Sequence, residues 1–445
     1  MRIRSEYLRE LRLRFGKTQQ QIAEEAGVDI RTYRKYETGE VGNSAEKSLK
    51  ASQYEFLRNI AAVYDLEGGP DELLHSEEPA PLPQSGDLPT STLFTALRYV
   101  HRPKEEAQAL RRIERAGTPV LIQAPERFGS TRFVGYLLSQ ISPAGPSGPG
   151  GPAALSIRCN LKRLLRTVVA SGRPLLQALA EHILQRTYRE PEALEHRLRA
   201  LRALPATDRS RLSWVLEQHV LPRPQRTVLT LEHADAELSP EGRDELFGLL
   251  RSWMSVCTRP PWDRLRLVLT LSTESMLLTP SEPSSFLSAA APIRLTEFSP
   301  EQMQELALLE GLPRSASLSR LRHYIGGHPF LLRLAIQAAV EREADLDQLL
   351  DDEETRRAIY EHHLLHLRRD LEERPGMLAR LCELARKGTL RLPLTDYCLL
   401  HSKGLVVERS PGQASMRCPL YAEYFAQLGG DAIAKVPTEL SDGAA

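Results

Sequence analysis

The sequence predicts a multidomain chain: an all-α helix-turn-helix head, an α/β core with a parallel sheet and a helical lid, and a carboxy-terminal winged helix. Three observations predict this division. Two short helical stripes meet at a glycine within residues 18–39, and five β-rich apolar runs alternate with helical stretches between 120 and 295. Beyond 377, two amphipathic helices precede a pair of short strands around Pro411-Gly412. With 445 residues there is room for several domains. Lys+Arg and Asp+Glu both number 58, so charge has to be read locally. No apolar run reaches about 18 residues, and the start MRIR leads into charged sequence, so a cytoplasmic protein with no membrane partner is expected. The five cysteines lack C-x-x-C spacing and sit in apolar runs, which predicts buried thiols and no metal site.

The head is residues 1–75. Leu8, Leu11 and Phe15 fall at helical spacing in an arginine-rich first helix. Thr18 with Gln21 three residues on is a capping box for a second helix, whose buried stripe is Ile22, Ala23 and Ala26. Gly27 turns the chain, Asp29 caps a third helix with Tyr33 and Tyr36 pointing inward, and Gly39 closes it. A closing helix is expected over 53–66. Helix, glycine turn and helix at this spacing make a helix-turn-helix. The run TQQQIAEEAGVDIRTYRKYETGE closely resembles the phage-repressor-like, XRE-type family. By that resemblance Ile30, Arg31, Thr32 and Lys35 face the major groove of double-stranded DNA, and Gln19 and Arg34 touch its phosphates. The chemistry agrees: an arginine at 31 pairs two-pronged with guanine, and an isoleucine at 30 meets a thymine methyl. Residues 1–60 hold twelve Lys/Arg against nine Asp/Glu, and residues 1–17 six against two. A head used for protein contacts is the alternative.

Residues 76–92 (SEEPAPLPQSGDLPTST) are rich in Pro and Ser and read as an extended tether. In the core, 93–298, strands are expected at 120–122, 154–159, 227–231, 265–271 and 293–295, interleaved with helices as a parallel sheet requires. Residues 142–152 read as a surface loop and 192–221 as a helical insertion on the sheet's rim. The helical lid covers 299–350.

After the first strand comes APERFGST, residues 124–131. The phosphate-loop template is G-x-x-x-x-G-K-[ST]. Gly129 and Thr131 match it, while Ala124 replaces the first glycine and Ser130 the lysine. That lysine reaches the β/γ-phosphates, and a hydrogen bond from such a charge contributes about 1.5–3 kcal/mol. On the octamer alone an ordinary β-turn-α connection is the simpler reading.

The surroundings extend the match. VLTLEHADAEL resembles the strand that ends in a magnesium-liganding Asp and a water-activating Glu; Glu232 and His233 stand at those positions, with Asp235 retained. LRLVLTLSTES resembles the strand with a polar sensor at its end, carried by Ser272, Thr273 or Glu274. YVHRPKEE resembles a signature that abuts adenine, with Arg102 and Glu105 matching and His101 in place of Gly. GGHPFLLRLA resembles a G-x-P turn, through Gly327, His328 and Pro329. From residue 92 onward the chain is similar to the bacterial AAA-like family of P-loop proteins related to STAND ATPases. The resemblance implies ATP or ADP with Mg²⁺ as cofactor, held through Arg102, Gly129, Ser130, Thr131, Asp235 and Pro329. The departures fall on the catalytic positions, so hydrolysis is expected to be lost. Glu232 sets its carboxylate one methylene too far out, and neutral His233 is a poor base. Arg127 and Arg132 are candidate substitute cations.

The carboxy-terminal module, 351–430, reads as helices at 351–374, 377–386 and 394–403, strands at 405–410 and 413–418, and a helix at 420–428. Helix, helix and hairpin make a winged helix; in STAND-like proteins such a module closes over the nucleotide. LTDYCLLHSK is too apolar and too weakly basic to enter a DNA groove, which points to packing or a protein-partner surface. Residues 431–445 read as a polar, disordered tail. The expected function is DNA-binding transcriptional regulation, with the AAA-like module a pseudo-ATPase serving assembly or ligand sensing; a STAND-like signalling ATPase is the alternative. A lone head grips one half-site weakly, so self-association is expected.

Overall fold

The capping residues of the head define its helices by reciprocal bonds. The Gln21 amide donates to Thr18 Oγ1 at 3.2 Å, and the Thr18 amide donates to Gln21 Oε1 at 2.8 Å. They open the helix Gln19–Ala26. Asp29 accepts from the amides of Arg31 (2.9 Å) and Thr32 (3.1 Å), opening the helix Ile30–Glu37. Leu8, Ile22, Ala23, Tyr33, Tyr36, Leu57 and Ile60 are buried around this pair. A short antiparallel pairing of β1 (Arg2–Ile3) with β2 (Leu74–His75) is too brief to leave a sequence pattern.

The computed structural model divides into two units, Met1–Asp87 and Leu88–Ala445. It describes residues 2–3, 8–9, 12, 18–26, 28–38, 57, 60 and 74–75 of the first. In the second it describes 99–141, 154–171, 174–188, 190–235, 238–272, 291–313, 317–342 and 344–433. The readings at Leu11, Phe15, Gly27, Gly39, most of 53–66, 76–92, 142–152, Thr273 and Glu274 lie outside the described residues.

In the second unit the five apolar runs are β3 (Val120–Gln123), β4 (Leu155–Asn160), β5 (Thr227–Glu232), β6 (Leu265–Leu271) and β7 (Ile293–Arg294). They form one parallel sheet in the order β4-β5-β6-β3-β7. Side chains alternate between its faces. Leu121, Leu229, Leu267 and Leu269 join a core with Trp253 and Leu250, whereas Val120, Ile122, Val228 and Val268 join one with Ala109, Phe133 and Leu137. From β3 the chain runs to the far edge, winds back through β5 and β6, and then crosses to β7. The carboxyl end of β3 is therefore where the winding reverses, the place where open α/β sheets leave a crevice.

The insertion expected on the rim is instead part of the core. Helices Pro191–Ala203 and Asp208–Val215 bury Leu198, Leu201, Leu212 and Val215 in the same cluster as the sheet's leucines. The stretch expected as a lid holds the helices Pro300–Glu310, Ser319–Ile325, Pro329–Glu341 and Leu346–Asp351. It is followed by Glu353–Glu372, Pro375–Lys387 and Leu394–Ser402. A three-stranded antiparallel sheet has β10 (Gln413–Met416) between β8 (Thr389–Leu390) and β9 (Val406–Ser410). The boundary expected at 350/351 does not divide the core, because Leu332, Ile336, Tyr360, Leu381, Tyr421 and Phe425 belong to one cluster. The last helix, Pro419–Ile433, runs past the expected end at 430, a correction to the start of the tail; residues 434–445 lie outside the described residues. All five cysteines are buried, and no described helix is long and apolar enough to cross a membrane.

Candidate functional site

The segment between β3 and the helix Ser130–Ile141 makes a tight, left-handed loop. Arg127 and Gly129 have φ of 66° and 90°, the Phe128 amide donates to Pro125 O at 3.2 Å, and the helix begins when Phe133 donates to Gly129 O at 2.9 Å. A left-handed arginine is costly; its guanidinium lies 4.4 Å from the Phe330 ring centroid, a cation–π contact that offsets part of that cost. Ser130 and Thr131 occupy the first turn of the helix, whose leading amides have no intrahelical acceptor.

Protein groups crowd the loop from the other side. Glu126 donates its amide to Ser402 O at 2.7 Å, and Phe128 is 1% exposed. The Phe128 ring lies 4.6 Å from the buried His328 ring and 5.0 Å under the Arg417 guanidinium. Gly404, at φ 78°, lies against both: a Cβ there would come within 3.2 Å of Phe128 and 3.5 Å of His328. Arg417 donates to Gly404 O (2.7 Å), Val406 O (3.2 Å) and Glu297 Oε1 (2.9 Å). Glu297 in turn accepts from the Gly327 amide at 3.1 Å, and a Cβ on Gly327 would strike Phe298 O. The G-x-P turn is thus wedged between loop and lid.

Each expected acidic position already has a partner. Glu232 is 3% exposed and bound by Arg158, whose Nη2 lies 2.7 Å and Nε 2.8 Å from Oε1. His233 takes a φ of 54° and donates its amide to Thr270 Oγ1 at 2.8 Å. Burial, then Lys162, lower its imidazole pKa. Asp235 accepts from the Ser272 amide (2.5 Å) and hydroxyl (2.6 Å), clasping the ends of β5 and β6. Arg102 is buried, 4.8 Å from the Phe298 ring centroid, and donates to Thr296 O at 2.9 Å; burial lowers its pKa. Pro329 opens the lid helix from inside the core. Arg102, Asp235 and Pro329 therefore hold the scaffold.

The residues that sequence reasoning missed are Glu126, Phe128, Arg158, Lys162, Ser402 and Arg417. Lys162 Nζ lies 2.6 Å from Glu126 Oε1. Burial pushes the Glu126 carboxyl up, but Lys162, with Lys403 and His233, holds it below the usual carboxylate range. An acid and a phenylalanine inside a would-be phosphate loop were the readable signals.

Residues 89–427 match the AAA-like domain family, and residues 5–74 match a helix-turn-helix domain. The chain belongs to the AAA-like domain family. Among solved structures the chain is similar to the ORC2 protein of Aeropyrum pernix in ADPNP-ADP complexes: 14% identity, 76% of this chain and 95% of that chain, TM-score 0.39. It is also similar to Drosophila ORC bound to DNA (14%, 82% and 97%, TM-score 0.37). The Aeropyrum pernix ORC1 protein in complex with DNA matches at 15%, over 76% and 94%, with a TM-score of 0.39. No curated protein matches the sequence.

A magnesium nucleotide is the group an AAA-like module implies, and the residues of this arrangement do not fit it. The loop brings a carboxylate where a phosphate would need cations, Ser402 takes one of its amides, and Arg158 neutralises Glu232. Among the described residues no cluster of His, Cys, Asp or Glu is gathered to hold a metal.

In the head, Arg31, Arg34 and Lys35 are exposed on the helix Ile30–Glu37, while Ile30, Thr32 and Gln19 are half-buried. Gln19 Oε1 accepts from Arg34 Nε at 3.2 Å, and its amide nitrogen donates to the buried Glu37, which also takes Arg12 at 2.7 Å. Thr32 Oγ1 lies 3.5 Å from the capping Asp29.

Two outcomes follow for the joint around Phe128. Arg417→Ala removes three hydrogen bonds and the contact with Phe128, and should cost about 2–4 kcal/mol, read from the urea midpoint. The second concerns pH. Burial and Arg127 push the His363 imidazole down to about 3, and burial and His363 push His328 well below its ordinary value. Both remain neutral when folded, while the unfolded chain takes up protons below about pH 6.5. Stability therefore falls as pH drops, by about 1.4 kcal/mol per histidine at about pH 5.5. Tyr421 Oη lies 2.9 Å from His363 Nε2. His363→Gln keeps a partner for it, and should flatten the slope by one proton in urea titrations run across this pH range.

Proposed function

We propose that the chain is a DNA-binding transcriptional regulator with an XRE-type head, and that its AAA-like module is a pseudo-ATPase serving assembly or ligand sensing. The observation that carries the first half is the helix Ile30–Glu37. Its amino terminus is capped by Asp29, its inner face is buried through Tyr33 and Tyr36, and Arg31 and Lys35 stand exposed. In this reading Arg31, Lys35, Ile30 and Thr32 meet base edges, and Gln19 with Arg34, already bonded to one another, approach the phosphates as a unit. The ion pair of Glu232 with Arg158 supports the second half, since it withdraws the carboxylate that would take a metal. The module after residue 351 is proposed to be a winged helix that serves as a packing or partner surface, and self-association sets two heads on half-sites about 34 Å apart or a multiple of that.

An electrophoretic shift with genomic fragments tests the first half. Contacts to about six phosphates should weaken binding on the order of 10³-fold between about 50 and 200 mM salt. Arg31→Ala with Lys35→Ala should abolish the shift, and a shift unchanged by that pair would move recognition elsewhere. Phosphate release from ATP should stay at background; turnover that Thr131→Ala removes would overturn the pseudo-ATPase.

A further inference from the structure

The AAA-like module has a polar cavity of about 410 Å³. None of residues 124–131 lines it. Arg322 and His323 enter from the lid helix Ser319–Ile325, Arg409 from β9, Arg417 from the end of β10, and Glu297 from the segment after β7. Separate stretches of chain thus bring three arginines and one glutamate into the lining of a single cavity. That carboxylate is already engaged, by Arg417 on one oxygen and by the Gly327 amide on the other. Arg322 and Arg409 are exposed, and neither forms an ion pair with another described residue. Converging like charges repel, so an anion carrying about two charges would be attracted here.

The lining selects the anion. Guanidinium forks match the oxygens of phosphate two at a time. The volume lies within the roughly 300–1,000 Å³ of small-molecule sites and exceeds what one phosphate fills. A neighbouring cavity of about 360 Å³ shares Ser319 and His323 and contains Tyr324, with the Arg356 guanidinium 5.4 Å from its ring centroid. It offers a ring and further charge to the remainder of a ligand.

We infer that this cavity is an anion site that takes a di- or triphosphate group through Arg322 and Arg409, beside Arg417. This gives the ligand-sensing part of the proposed function a ligand class, and it rests on that part alone. Arg417 connects the site to the loop, because the same guanidinium stacks on Phe128 and holds Glu297. A phosphate that draws on Arg417 alters the joint around the loop.

Isothermal titration of the full chain with inorganic pyrophosphate tests the assignment. Saturable binding is expected, weakened by about tenfold or more in Arg322→Ala with Arg409→Ala, since each lost charge-assisted bond is worth about a decade. Arg322→Lys with Arg409→Lys should retain much of it, and Thr131→Ala should leave it unchanged. No heat up to about 1 mM pyrophosphate, an affinity unaffected by the double alanine substitution, or equal binding of sulfate would overturn the site. In a chain carrying Arg31→Ala and Lys35→Ala, short duplex DNA that displaces pyrophosphate would assign the phosphate to a nucleic-acid backbone. Failure to displace it would assign the phosphate to a soluble ligand; either outcome keeps the site. Failure of the head to bind DNA leaves these heats untouched, so the two readings fail separately.

Discussion

The joint between loop, lid and carboxy-terminal module depends on one guanidinium. Arg417 is almost fully buried, yet its donors are matched by two carbonyls and a carboxylate, and its flat face covers Phe128. A buried charge is tolerable only when its donors are satisfied. The geometry that satisfies them also fixes everything near it. Gly404 must present its carbonyl, and having no Cβ it can approach Phe128. Glu297 must lie where its second oxygen receives the Gly327 amide, and Gly327 must lack a Cβ because Phe298 O lies behind it. A single side chain therefore constrains the chain around Phe128, around Glu297 and Gly327, and around Gly404.

The sheet imposes a second constraint, on charge. Parallel register sets Asn160 against Glu232 and Arg158 against Thr230, so the arginine two residues back on β4 reaches the longer acid at the end of β5. An aspartate at 232 would hold its carboxylate closer to its own strand. The extra methylene and the arginine belong together: each makes burial of the other tolerable. Asp235 does the corresponding work between β5 and β6 by accepting twice from Ser272. Both carboxylates remain at the carboxyl end of the sheet, spent on protein partners.

What was legible in the sequence was local. The Thr18–Gln21 box and the Asp29 cap span three residues, so spacing alone reveals them, and the inward tyrosines follow from helical period. The five strands were legible because burial on both faces makes each an apolar run. The order β4-β5-β6-β3-β7 was not, since nothing within a strand names its neighbour. The two residues of β8 are too few to alternate, and the insertion's leucines gave no sign of which surface they would cover. Arg102, Asp235 and Pro329 were found by pattern, yet their partners Thr296, Ser272 and the lid core depend on the folded chain. Lys162, Arg158 and Arg417 escaped notice for one reason: a lone basic residue acquires meaning only from the acid or ring it meets.

These meetings reverse the polarity of the loop. A phosphate loop presents amides and a cation to an anion supplied by the ligand. Here the loop supplies the anion itself, as Glu126, and receives Lys162 from the helix after β4. One of its amides goes to Ser402 O. Ser130 at the template's lysine position and the acid at 126 thus act in the same direction. Either alone would weaken the hold on a phosphate; together they give the loop a stable set of partners within the chain. Beneath them the backbone keeps its left-handed turn at Gly129 and its helix amino terminus. The architecture rests on packing of the sheet and of Phe128, which is buried beneath the turn.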